Sequence, residues 1–129
     1  MHTTPPTIAD IVALAEQALA AIPSRFTAHA NPLAIVVEDI ADDETLDAMG
    51  LESGYDLTGL YRGIPLTMGR ESGVPREPDM IVLYREPILL EWIETGEDLG
   101  SLINNVLVHE VAHHFGFTDA DITALERDA

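Results

Sequence analysis

Apolar residues return every third or fourth position over much of this chain, and that period marks helices. Ile8, Ile11, Val12, Ala15, Leu19 and Ile22 share one helical face. Thr7 stands before them with Asp10 three residues on, which resembles a capping box, and Pro23 stops the helix. Leu33–Val37 is a short run rich in β-branched residues and reads as a strand. Asp42, Asp43, Glu44 and Asp47 surround Leu46 and Met49, the pattern of a short helix with acids favoured near its N-terminus. A calcium loop would need a D-x-D-x-D-G spacing, which is absent. Tyr55–Gly63 reads as a second strand and Met80–Tyr84 as a third, with a mobile loop over 67–78 signalled by Gly69, Gly73, Pro75 and Pro78. Pro87 suits the first turn of a helix that Ile88, Leu89, Trp92 and Ile93 continue and Gly96 ends. Leu99, Leu102, Ile103 and Val106 open a further helix over about 98–115, and Ile122 and Leu125 point inward from a last one over about 119–127. Residues 1–6 read as a loose terminus, and His29 as an ordinary surface histidine. The expectation is an α+β fold, with a small sheet of three or four strands packed by an N-terminal and a C-terminal helix.

Composition narrows the function classes. The chain has 129 residues, the length of one domain spanning 1–129, and is 47% hydrophobic, enough for a core despite its acidity. Its net charge of −17, with six Lys and Arg, argues against a nucleic-acid partner, because phosphates would be repelled. Without cysteine there is no disulfide framework and no thiolate metal site, so any metal must use His and carboxylate. No apolar run reaches the length of a membrane span, so no membrane partner is expected. Ala18-Leu19-Ala20 resembles a signal cleavage site, but Asp10, Glu16 and Gln17 interrupt the apolar stretch and no Lys or Arg precedes it. The expected location is cytoplasmic.

The chemistry concentrates in Val108-His109-Glu110-Val111-Ala112-His113-His114-Phe115-Gly116-Phe117-Thr118-Asp119, which reads H-E-x-x-H-x-x-G-x-x-D. On a helix His109 and His113 are one turn apart and offset by about 40°, so their imidazoles can share one metal ion. Glu110 lies about 60° from His113, beside the ion, where a water would sit. Gly116 can end the helix in a left-handed turn and bring Asp119 back as a third, oxygen ligand. Two nitrogens, one carboxylate and an open position describe catalytic rather than structural zinc. Asp121 is the competing third ligand; the motif spacing favours Asp119. The plain alternative is a buried amphipathic helix that happens to carry histidines. H-E-x-x-H alone arises by chance in about one chain of this length in a few hundred, and the added Gly and Asp make accident rarer still.

Three stretches together resemble the small bacterial zincin-like metallopeptidases, a minimal form of the Asp-zincins. They are Gly59-Leu60-Tyr61-Arg62-Gly63-Ile64-Pro65-Leu66-Thr67, Pro78-Asp79-Met80-Ile81-Val82-Leu83-Tyr84-Arg85, and His109 through Asp119. The resemblance implies a minimal zincin-like fold, Zn2+ on His109, His113 and Asp119, Glu110 as general base, and a peptide or protein substrate. Two departures stand out: no Met follows Asp119 to form a Met-turn, and the loop after Pro65-Leu66-Thr67 reads Met68-Gly69-Arg70-Glu71.

The expected activity is peptide-bond hydrolysis, with Glu110 taking a proton from a metal-activated water and passing it to the leaving amine. Tyr61, Tyr84 and His114 are candidates for stabilising the oxyanion. A peptide could add as a strand at an exposed sheet edge, for which Met80–Tyr84 is the expected strand. Two other readings remain: a zinc-binding interaction or regulatory module without turnover, and a metal hydrolase acting on a non-peptide amide.

Overall fold

The computed structural model describes residues 4–22, 33–63 and 79–114. In chain order these form α1 (Ile8–Ala21), β1 (Leu33–Glu38), α2 (Asp43–Met49), a 3-10 turn (Gly54–Asp56), β2 (Gly59–Arg62), β3 (Asp79–Tyr84), α3 (Arg85–Thr95) and α4 (Leu99–His114). The expected α+β class holds, with a mixed sheet of three described strands.

Local chemistry explains several helix ends. Thr7 and Asp10 close a reciprocal capping box on α1, with Thr7 N–H donating to Asp10 Oδ2 at 2.9 Å and Asp10 N–H donating to Thr7 Oγ1 at 3.1 Å. Asp42 caps α2 by accepting from Thr45 N–H at 2.8 Å, and its hydrogen bonds at Thr45 hold its carboxyl below the usual range. Gly96, in the left-handed region at φ 69°, ends α3, and Asp98 Oδ2 accepts from Ser101 N–H at 3.0 Å to start α4. Among the described residues no helix is long and apolar enough to cross a membrane.

The sheet order is β1-β3-β2, with β1 parallel and β2 antiparallel to β3. This corrects the expectation that Met80–Tyr84 is an edge. β3 bonds to a neighbour on each side, and its unbroken apolar run fits burial on both faces. Side chains alternate along it. Ile81 and Leu83 face α1 and α4, joining Ile11, Ile103 and Leu107 in one core cluster. Val82 and Tyr84 join Ala41, Leu46 and Leu57 in another. Among the described strands, the edge next to α4 is β2.

Two other expectations change. Tyr55–Gly63 is a turn followed by a short strand, because Ser53 Oγ accepts from Tyr55 N–H at 3.2 Å and winds Gly54–Asp56 before the chain extends. Residues 1–6 are not uniformly loose: Pro6 is fully buried, and its carbonyl accepts from Arg85 Nε at 2.7 Å. The loop over 67–78, His29 and the helix expected over 119–127 fall outside the described residues.

Gly59 sets how closely β2 approaches α4. A Cβ there would lie 2.8 Å from Val106 Cγ1, 3.3 Å from Leu83 Cδ2 and 3.5 Å from Glu110 Cγ. Gly59→Ala is expected to destabilise the fold by about 1–3 kcal/mol through overpacking, read as a lower urea midpoint at unchanged m-value. An unchanged midpoint would mean that β2 can back away without loss.

Candidate metal centre

α4 carries the site because its two faces differ. Leu99, Leu102, Ile103, Leu107 and Val111 are buried in the core, so α4 is held along most of its length. His109 and His113 fall half-buried at the margin of that face. One turn apart, their rings meet edge-on, with centroids 4.7 Å apart and planes at 73°. Glu110, 8% exposed, lies with them. One potential ligand atom from each of His109, Glu110 and His113 falls within 4.8 Å of the others, close enough to surround one cation. Imidazole nitrogens beside a carboxylate, with no thiolate, suit a borderline divalent metal such as zinc.

Glu110 is fixed from two sides. Its Oε1 accepts the backbone N–H of Tyr61 at 3.1 Å and lies 3.2 Å from His113 Nδ1. With its proton on Nδ1, His113 would donate to that oxygen, the tautomer that presents Nε2 to a metal. The Tyr61 bond follows from strand geometry. Tyr84 N–H bonds to the Thr58 carbonyl at 2.9 Å, and ladder bonds alternate along an antiparallel pair. Gly59 and Tyr61 therefore turn their N–H and C=O groups away from β3, toward the side of β2 that no described strand covers. Beside this edge lies a cavity of about 660 Å³, with Gly59, Tyr61 and Val106 in its wall and His109, Glu110 and His113 among its lining.

The two expected tyrosines part company. Tyr61 lines the cavity, and its hydroxyl donates to Asp79 Oδ2 at 3.0 Å. Tyr84 is 1% exposed on the other face of the sheet, and burial pushes its phenol pKa up. Tyr84 is therefore no oxyanion donor for this site, because β3 itself separates it from α4. Asp119, Asp121, Gly116 and the side chain of His114 fall outside the described residues. Two features escaped the sequence reading: the backbone donor on Glu110 and the buried Asp79 carboxylate under Tyr61. Asp79 was detectable as an acid opening an otherwise apolar strand; the backbone donor left no mark in residue identity.

Comparison with the curated proteins gives no match. The zincin-like metallopeptidase family matches residues 30–129, which takes in the three described strands and the His-Glu-His helix. With most of its length covered, the resemblance read from the motifs is borne out, and the chain belongs to the zincin-like metallopeptidase family.

Proposed function

We propose that this protein is a zinc-dependent peptidase in which His109, His113 and Asp119 hold the metal and Glu110 is the general base. The observation that carries the reading is the convergence of His109, Glu110 and His113 within 4.8 Å beside β2, the edge of the sheet among the described strands. Family membership supports zinc as the metal and peptides as the substrate class. Asp119 enters through its place in the motif. When bound, zinc supplies activation of water and polarisation of a carbonyl.

The chain's own residues supply the rest. Tyr61 N–H holds Oε1 of Glu110, which leaves Oε2 to take a proton from water and deliver it to the departing amine. The outward N–H and C=O of Gly59 lie on the side of β2 that no described strand covers, so an extended peptide can pair there as another strand while the Tyr61 N–H stays on Glu110. Such pairing would carry the scissile bond past Glu110, because Tyr61 and Glu110 are already in hydrogen-bond contact. Cleavage of an unstructured peptide library is expected to stop on chelation and return with added zinc. Activity that survives complete zinc removal would contradict the proposal.

A further inference from the structure

Asp79 is a buried acid for which the peptidase reading has no use. It is 1% exposed, and its Oδ2 accepts the Tyr61 hydroxyl at 3.0 Å. Burying a carboxylate disfavours folding unless hydrogen bonds compensate it, and the Tyr61 hydroxyl supplies one of them. The backbone closes tightly over the pair: a Cβ on Gly63 would lie 2.5 Å from Asp79 Oδ1 and 2.7 Å from the Tyr61 hydroxyl. The same tyrosine donates its backbone N–H to Glu110 Oε1 at 3.1 Å. One residue thus joins a buried carboxylate at the start of β3 to the acid of the His-Glu-His group.

We propose that Asp79 is a positioning residue for Glu110, acting through Tyr61. Among the described strands β2 has a ladder on one side only, so on its other side the Tyr61 backbone takes its direction from the contacts of that residue itself. Anchoring the Tyr61 hydroxyl pins that residue at its far end. Its N–H is then aimed at Oε1, and the second carboxylate oxygen stays turned toward the cavity. A base held in productive orientation reacts faster than one that must find it. The rate consequence rests on the peptidase reading; the positioning itself does not.

Tyr61→Phe removes the hydroxyl and keeps the ring and the backbone donor. Hydrogen exchange at the residue 61 amide, followed with and without zinc, is expected to speed up by about 3–10-fold, the weight of one lost hydrogen bond. In the zinc-loaded enzyme kcat is expected to fall by about the same factor, with KM and zinc affinity unchanged. Asp79→Asn keeps an oxygen acceptor for the hydroxyl and is expected to restore most of both readouts relative to Asp79→Ala. Glu110→Ala is expected to release the residue 61 amide without touching the hydroxyl. Exchange at residue 61 that is indifferent to Tyr61→Phe, or equally slow in Glu110→Ala, overturns the positioning role. A wild type that cleaves no peptide would sink the peptidase reading instead, and the exchange comparison would still decide the role of Asp79.

Discussion

Glu110→Gln is expected to lower turnover by about 10²–10⁴-fold while leaving zinc content and peptide affinity nearly unchanged. Glutamine has almost the same shape, and its amide oxygen can still accept the Tyr61 N–H that holds Oε1 at 3.1 Å in the wild type. The strand–helix contact at Gly59 and the cavity wall should therefore persist. What disappears is a group able to take and return a proton. The expected signature is a fall in kcat with little change in KM, measured on a fluorogenic peptide, beside elemental analysis showing full zinc. The substitution also separates the two main readings of the chain. A zinc-stabilised interaction module without turnover would pass through the change with its partner binding intact. Loss of zinc together with loss of activity would instead make Glu110 a ligand rather than a base.

His113→Ala should act on the other half of the chemistry. If His109 and His113 are the imidazole ligands proposed above, removing one is expected to weaken zinc binding by about 100-fold or more, since even indirect partners of metal ligands are worth 10–100-fold. The metal-free fold should barely notice. The His113 side chain is 36% exposed, and surface changes of this kind usually fall within about 0.5 kcal/mol. The two effects separate in a thermal melt. Zinc at about one hundred times its dissociation constant should stabilise the wild type by about 2.7 kcal/mol. At the same zinc concentration the variant should gain well under half of that. A metal-free variant that melts far below the metal-free wild type would mean that His113 holds the helix rather than the ion.

The parts of this molecule written in local patterns were legible in the sequence. Thr7 and Asp10 announced the start of α1 because a capping box needs only residues three apart. His109, Glu110 and His113 could be placed together because a helix fixes their angular separation before any tertiary contact forms. Strand order was less accessible. The apolar run of β3 suggested a strand, but only pairing on both sides shows that it is central. Its nearness to the His-Glu-His helix in sequence pointed instead to an edge, and among the described strands β2 holds that place. Tyr84 was misplaced for the same reason, since the face a strand residue takes depends on which layers cover the sheet. The Tyr61–Glu110 bond was out of reach altogether. It joins residues 49 apart through a backbone N–H that every residue except proline carries. Pro6 likewise looked loose until Arg85, 79 residues away, claimed its carbonyl.

The most direct test is a crystal structure of the zinc-loaded protein, with the metal located by its anomalous signal. One zinc is expected, bound by His109, His113 and Asp119 at about 2.0–2.2 Å. Glu110 should lie outside the coordination sphere, beside the remaining open position. Zinc ligated by Asp121 in place of Asp119, a Glu110 carboxylate directly on the metal, or an ion bound away from the two imidazoles would contradict it.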